Sequence, residues 1–455
     1  MLLALLILAT APSPDPARTL VGGALTDGLA HARLRELTDT IGPRLSGSPG
    51  AEAAVQWALK KFQQDGLAAR LEPVKVPHWV RGPESGEILP SPSGVGHPLA
   101  LTALGNGVGG NVTAEVVEAR SLAEVAALGA SARGKIVFFD HPMSTPDGYG
   151  KFVDLRTHGP SAAARVGAVA VLIRSLATAS FRSPHTGMTS YDADAPKIPA
   201  AAVSTEDADL LHRLLQRGPV KARISLDCRM LPDADSSNVI GEVRGREKPE
   251  EVVLIGAHLD SWDLAQGAND DGAGVAMVME AGRLIASLPQ KPRRTLRVVL
   301  FMNEENGLAG GKAYAAAHRE EIPRHVAALE ADSGAGRPLV VRMRAGEGGV
   351  ALLKPWLSAL QSLEIGLEEG EAGGADLGPL GGQVPLVLVH PDGTHYFDIH
   401  HSAADTLDKI DPENLAKGAA AIAVVAWSLA EMPETLPRPP PREREKQAAP
   451  KPLAH

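Results

Sequence analysis

The sequence predicts an α/β fold: a mostly parallel central sheet with helices on both faces, joined to a smaller inserted α/β domain. Three observations carry this reading. From Ser236 onward short apolar runs alternate with helical segments, the pattern of a parallel sheet covered on both sides. A middle block, residues 112–229, has strands and helices of its own. The chain's 455 residues also exceed what one hydrophobic core usually holds.

In chain order, residues 30–67 read as two helices flanking the loop at 41–50, with Ala54, Leu59 and Phe62 recurring at close to helical spacing. Residues 71–80 read as a strand, and a Pro/Gly-rich stretch covers 82–110. In the middle block, 135–139, 168–173 and 198–203 read as buried strands, with helices at 160–166 and 205–215. In the last block, 252–257, 295–302, 326–331, 339–343 and 384–389 read as strands. Helices fall at 272–288, 308–318 and 412–432, the first with Val275, Val278, Met279, Gly282 and Ile285 on one face. The expected divisions are a leader at 1–20, the first part of the main domain at 21–111, the insert at 112–232, the rest of the main domain at 233–432 and a disordered Pro-rich tail at 433–455.

Composition removes several function classes. Net charge is −9 and no Lys/Arg-rich block stands out in the body, which argues against a nucleic-acid surface. Aromatic residues are 4%, too sparse for base-stacking platforms. Cys228 is the one cysteine, so an intrachain disulfide or a thiolate metal cluster is excluded, and any metal must be held by His, Asp and Glu. After the N-terminus no run of 18 apolar residues occurs, so no membrane span is expected. The run at residues 2–9, followed by Ala9-Thr10-Ala11, has the form of a secretory h-region and cleavage site, although a basic n-region is missing. It points to export, periplasmic or secreted.

The residues that carry chemistry sit where strands of such a sheet end, which is where sites in open α/β folds form. His258-Leu-Asp260 closes the strand at 252–257. Residues i and i+2 of a strand point the same way, so Asp260 can hydrogen-bond one nitrogen of His258 and leave the other for a metal. Asp270-Asp271 lies in a glycine-rich turn entering a helix, a pair readable as ligands or as helix caps. Glu304-Glu305 follows the next strand, where like charges crowd unless a cation or solvent intervenes. Asp332 follows the strand after that, and His400-His401 precede Asp405-Thr406. Imidazole and carboxylate donors without thiolate suit zinc. Two histidines and three carboxylates fit two ions sharing one bridging carboxylate, with one further acid free to move a proton.

These motifs resemble the M28 family of co-catalytic zinc peptidases. The resemblance rests on Gly256-Ala-His258-Leu-Asp260-Ser-Trp-Asp263, residues 267–274, Glu304-Glu305, Glu330-Ala-Asp332 and His400-His401-Ser-Ala-Ala-Asp405-Thr406. Ser183-Pro-His-Thr-Gly187, Lys197-Ile-Pro199 and Thr205-Glu-Asp-Ala208 resemble a protease-associated insert carried by one branch of that family. The resemblance implies two zinc ions, one on His258 and Asp332, the other on Glu305 and His401, bridged by Asp270. It implies Glu304 as general base toward a hydroxide bridging the ions, Asp260 as the residue orienting His258, and a cis bond between Asp270 and Asp271. His401 is preferred to His400 because the family's ligand directly precedes Ser or Thr. The loop at 371–376 matches the family's substrate-side loop only loosely. Small unblocked peptides, dipeptides above all, are the implied substrates, and a homodimer the implied assembly. Two other outcomes stand beside this one: a non-catalytic receptor on the same fold, and an amidohydrolase or cyclase reaction at the same metals.

Overall fold

Helix α1 (Pro16–Thr26) begins the computed structural model, which describes residues 15–91 and 94–440. Asp15 caps it, accepting the Ala17 N–H at 3.1 Å, and Pro16 stands in the first turn, where no N–H is needed. Leu20, Val21 and Ala24 are buried in the main core. Residues 16–20, expected to belong to the leader, are therefore the opening turns of a core helix. The apolar run at 2–9 and the small-residue site at 9–11 lie outside the described residues. Helices α2 (Ala30–Thr40) and α3 (Pro49–Gln64) follow. Ser48 caps α3 by accepting the Ala51 N–H at 3.1 Å, and Ala54, Ala58 and Phe62 are fully buried. Truncating such a Phe to Ala costs about 3–5 kcal/mol.

Strand β1 (Ala68–Val80) enters the main sheet. The chain then leaves it to build a second sheet from β2 (Glu84–Ile88), β3 (His97–Leu99), β4 (Leu101–Ala103), β5 (Gly110–Ala119), β6 (Ile136–Phe139), β7 (Ala170–Arg174), β8 (Ala200–Val203) and β9 (Lys221–Leu226). Helices α4 (Leu122–Leu128), α5 (Gly148–Thr157), α6 (Gly159–Arg165) and α7 (Thr205–Leu215) belong to this excursion. The strand order is β3-β2-β9-β5-β6-β7-β8-β4, with β5 to β8 parallel. Strand β10 (Arg229–Val243) brings the chain back, and Val80 pairs with Arg229 in the antiparallel β1–β10 ribbon. Exit and return at facing residues make 81–228 one inserted unit, against the expected 112–232. The additional strands are short and lie in the Pro/Gly-rich stretch, where alternation is weak.

The main unit is completed by β11 (Lys248–His258), α8 (Ala273–Ser287), β12 (Arg294–Phe301), α9 (Ala309–Ala317), β13 (His325–Glu330), β14 (Pro338–Arg344), α10 (Gly349–Leu353), β15 (Gly366–Glu369), β16 (Leu386–Pro391), α11 (Tyr396–Ile399) and α12 (Pro412–Glu431). Its sheet runs β1-β10-β12-β11-β13-β16-β14-β15. The centre, β12-β11-β13-β16, is parallel, and antiparallel pairs flank it on both sides. Alternation divides the strand side chains: Val253, Ile255 and Ala257 face the core shared with α1, α2, α3, α8 and α12. Leu254 faces the other way, clustered with Phe301 and with Tyr314 of α9. Both faces are thus covered, and the carboxyl ends of the parallel strands remain for the site.

Residues 433–440, expected to be disordered, pack against the sheet. Arg294 donates to the Pro433 carbonyl at 3.2 Å, Arg344 donates to the Pro440 carbonyl at 2.8 Å, and Leu436 is buried. The remainder of the expected tail lies outside the described residues. Among the described residues no helix is long and apolar enough to cross a membrane.

Candidate metal centre

Three parallel strands deliver their ends to one place. His258 is the last residue of β11, Glu304 and Glu305 follow β12, and Asp332 follows β13. Asp270 comes from the turn before α8, and His401 from the loop after α11. The structure brings all five expected ligands together. His258 Nε2 lies 3.1 Å from Asp270 Oδ1 and 3.6 Å from Asp332 Oδ1. His401 Nε2 lies 3.3 Å from Asp270 Oδ2 and 3.0 Å from Glu305 Oε2. Asp270 therefore stands between the two imidazoles and turns one oxygen to each.

The electrostatics are those of a crowded anionic pocket. Burial pushes the Glu305 carboxyl up to about 7, against the pull of His401. Burial also acts to raise Asp270, but His258 and His401 outweigh it and hold that carboxylate well below its usual range. Glu304 is raised well above the ordinary glutamate value by burial and by the Asp332 and Glu305 charges. Asp270 Oδ2 is buried without a hydrogen-bond donor. An orphaned carboxylate oxygen among buried imidazoles and carboxylates fits a divalent cation.

His400 stacks on His401, ring centroids 3.5 Å apart, and its Nε2 lies 3.3 Å from Asp270 Oδ2. Of the two, His401 alone lies against both Asp270 and Glu305. The two readings of the aspartate pair divide between its members. Asp271 accepts the His258 N–H at 3.1 Å and the Gly274 N–H at 3.2 Å, the part of a buried cap. Asp270 faces the imidazoles, and the peptide bond between the two is cis.

Asp260 acts differently from the sequence expectation. Its main-chain carbonyl, not its carboxylate, lies within hydrogen-bond distance of His258 Nδ1, at 3.0 Å; the nearer carboxylate oxygen is 3.9 Å away. The carboxylate instead accepts the Asn303, Glu304 and Glu305 N–H groups at 2.8, 3.0 and 3.4 Å. The strand end turns away after His258, so the side chain reaches the neighbouring loop. The loop at 371–376 also departs from a substrate-side role: Asp376 is buried, accepts the Gly311 N–H at 3.1 Å, and donates its own N–H to Glu330 at 3.3 Å.

Two further residues shape the site: Arg44, which no sequence motif marks, and Asp405, which belongs to the His-His-Ser-x-x-Asp-Thr motif. Arg44, in the loop between α2 and α3, is fully buried and donates to the carbonyls of Leu259, Gln266 and Gly267 at 2.7, 2.6 and 2.9 Å. Asp405 accepts the Asn269 and Asp270 N–H groups at 2.6 and 3.1 Å, fixing the turn that aims Asp270. The site opens into a cleft of about 470 Å³, with Glu304, Asp332 and His401 on one side and Tyr149 and Arg156 of α5 in the inserted unit on the other.

Comparison with known proteins follows the same residues. A profile of Peptidase family M28 matches residues 238–426. Carboxypeptidase Q of Mus musculus is 40% identical over 415 residues, 90% of this chain and 87% of that protein. The chain belongs to peptidase family M28. A crystal structure of a peptidase M28 precursor from Shewanella amazonensis superposes with a TM-score of 0.89 at 40% identity, covering 94% of this chain and 98% of that one. An aminopeptidase from Aneurinibacillus shares the M28 fold at TM-score 0.66 and 24% identity, covering 93% and 98%. M28 membership makes this chain a metallopeptidase, and the clustered donors are where its metal chemistry belongs.

Proposed function

We propose that the protein is a two-zinc exopeptidase that hydrolyses dipeptides and other short unblocked peptides. The observation that carries the reading is Asp270 between His258 and His401, one oxygen toward each. His258 and Asp332 would hold one ion and Glu305 and His401 the other, with Asp270 shared. The pair would supply polarisation of the scissile carbonyl and acidification of water.

The chain's own residues do the rest. Glu304 lines the cleft beside Asp332 and His401, takes the proton of the attacking water and returns it to the leaving nitrogen. Burial and the Asp332 and Glu305 charges raise its carboxyl, which favours its holding the transferred proton. Asp260 fixes the Glu304 and Glu305 backbone, and Asp405 fixes that of Asp270. The inserted unit walls the cleft opposite the metals, which limits substrates to small peptides. Likeness to carboxypeptidase Q supports the exopeptidase reading.

Export directed by residues 2–9 and assembly as a homodimer belong to the same proposal; sedimentation at twice the chain mass checks the second. The direct test is chelation followed by zinc titration, with hydrolysis of a dipeptide panel as the readout. Loss on chelation and recovery at two zinc per chain is expected. Activity indifferent to chelator, or hydrolysis confined to N-acyl amino acids, would overturn the reading.

A further inference from the structure

Six arginines are buried in the described residues, and five are matched by their surroundings. Arg33 meets Asp65 at 2.6 Å through one terminal nitrogen, its other terminal nitrogen being buried without a partner, and Arg174 meets Asp140 at 2.6 Å. Arg294 pairs with Glu251, and Arg297 with Glu242 and Glu321. Arg44 is saturated by main-chain carbonyls. Arg156 is the exception. It is 7% exposed, and no carboxylate of the described residues lies within salt-bridge distance of it. It donates to the Tyr149 hydroxyl at 2.9 Å and, at 3.4 Å, to the Thr186 carbonyl. Its Nε is buried with no partner.

A buried cation without a counter-ion is costly unless an anion completes it. Arg156 lines the metal cleft and is held in place there. Its guanidinium lies over the Tyr149 ring at 5.4 Å, and that ring packs edge-on against His400 at 5.2 Å. A Cβ at Gly187 would come within 2.2 Å of the guanidinium, so the position beneath it admits only glycine. Lys312, the other cation of the cleft, is exposed to water and donates to the Gly307 carbonyl at 2.8 Å.

We propose that Arg156 receives the free α-carboxylate of the peptide substrate, making it a specificity-determining residue contributed by the inserted unit. Beyond its bonds to Tyr149 and Thr186 the planar guanidinium keeps one further N–H on each terminal nitrogen, and two such donors match a carboxylate. This rests on the peptidase reading above, which already takes unblocked peptides, and adds to it the residue that reads their free C-terminus.

The test uses the zinc-loaded full chain carrying Glu304→Gln, so that ligands are bound without being consumed. Binding of alanyl-leucine, alanyl-leucinamide and the α-amide of alanyl-glutamate is compared by calorimetry, with and without Arg156→Gln. The free acid should bind about 30- to 100-fold more tightly than its amide. Arg156→Gln should erase that ratio, and Arg156→Lys should restore part of it. Equal binding of acid and amide, or a ratio that survives Arg156→Gln, would overturn the proposal. Tight binding of the glutamate α-amide with no preference for a free C-terminus would also overturn it, since it assigns the arginine to a side-chain carboxylate. Should Arg156→Gln not fold, the acid-to-amide ratio of the Arg156-containing protein still decides. Failure of the wild-type enzyme to cleave any free dipeptide would instead strike the peptidase reading, which this binding assay does not share.

Discussion

The Glu304 N–H donates to the carboxylate of Asp260 at 3.0 Å, so the residue just past one parallel strand sets the backbone of the glutamates just past its neighbour. The same carboxylate takes the N–H groups of Asn303 and Glu305. Asp260→Ala would leave three buried donors short of their acceptor. The expected loss is about 3 kcal/mol of stability and about 10- to 100-fold in activity or zinc affinity. Thermal unfolding and zinc titration of the variant check both; an unchanged melting temperature would remove Asp260 from this role.

In the proposed ligand set Glu304 is the acid left free. Glu304→Gln should keep both zinc ions and lose about 10²- to 10⁴-fold in kcat. Metal analysis beside steady-state kinetics separates the two effects. Near-normal turnover in this variant would assign the base elsewhere.

Glycine at 274 is required by close approach. A Cβ there would lie 1.9 Å from the Ala331 carbonyl oxygen and 2.3 Å from Asp271 Oδ1. Gly274→Ala should therefore destabilise by about 1–3 kcal/mol, the usual overpacking range, and should weaken zinc binding by displacing Asp271 from the His258 N–H. Denaturant unfolding with and without zinc reads both.

Far from the cleft, Glu321 is set against Arg297 at 2.7 Å and His318 at 2.7 Å. Burial acts to raise its carboxyl, but these two partners outweigh burial and bring it from 4.5 to about 2. A carboxyl lowered on folding stabilises the fold above its unfolded value and stops doing so as pH falls through its folded value. Glu321→Gln should cost about 2 kcal/mol at pH 7, and its deficit against wild type should shrink between pH 4.5 and pH 2. Unfolding curves across that range check it; a deficit constant with pH would show that the ion pair contributes nothing.

Sequence periodicity captured the strongly patterned parts of this fold. The helix expected at 205–215 and the pair of helices within 30–67 are present, because their apolar faces repeat at helical spacing. The central strands were equally legible as continuous apolar runs, since both of their faces are buried. Strand β10 was not read from the sequence at all; in its first half the exposed ribbon with β1 leaves Asp233, Asp235 and Ser237 where a buried strand would carry apolar residues. Strand-end and loop position supplied the candidate acids and histidines, and the choice of His258, Asp270, Glu305, Asp332 and His401 among them came from the M28 resemblance. The partner of the Asp260 carboxylate could not be read in either way, since it depends on how two neighbouring strand ends turn. Arg44 and Arg156 follow no periodicity at all; their meaning comes from carbonyls and an open cleft that only the folded chain assembles.

His258, Asp270, Glu305, Asp332 and His401 are proposed to hold two cations in one cleft. Anomalous diffraction at the zinc edge from zinc-loaded crystals measures this directly. Two peaks are expected, about 3.5–4 Å apart, one on either side of the Asp270 carboxylate. A single peak, or peaks away from Asp270, would contradict the proposal.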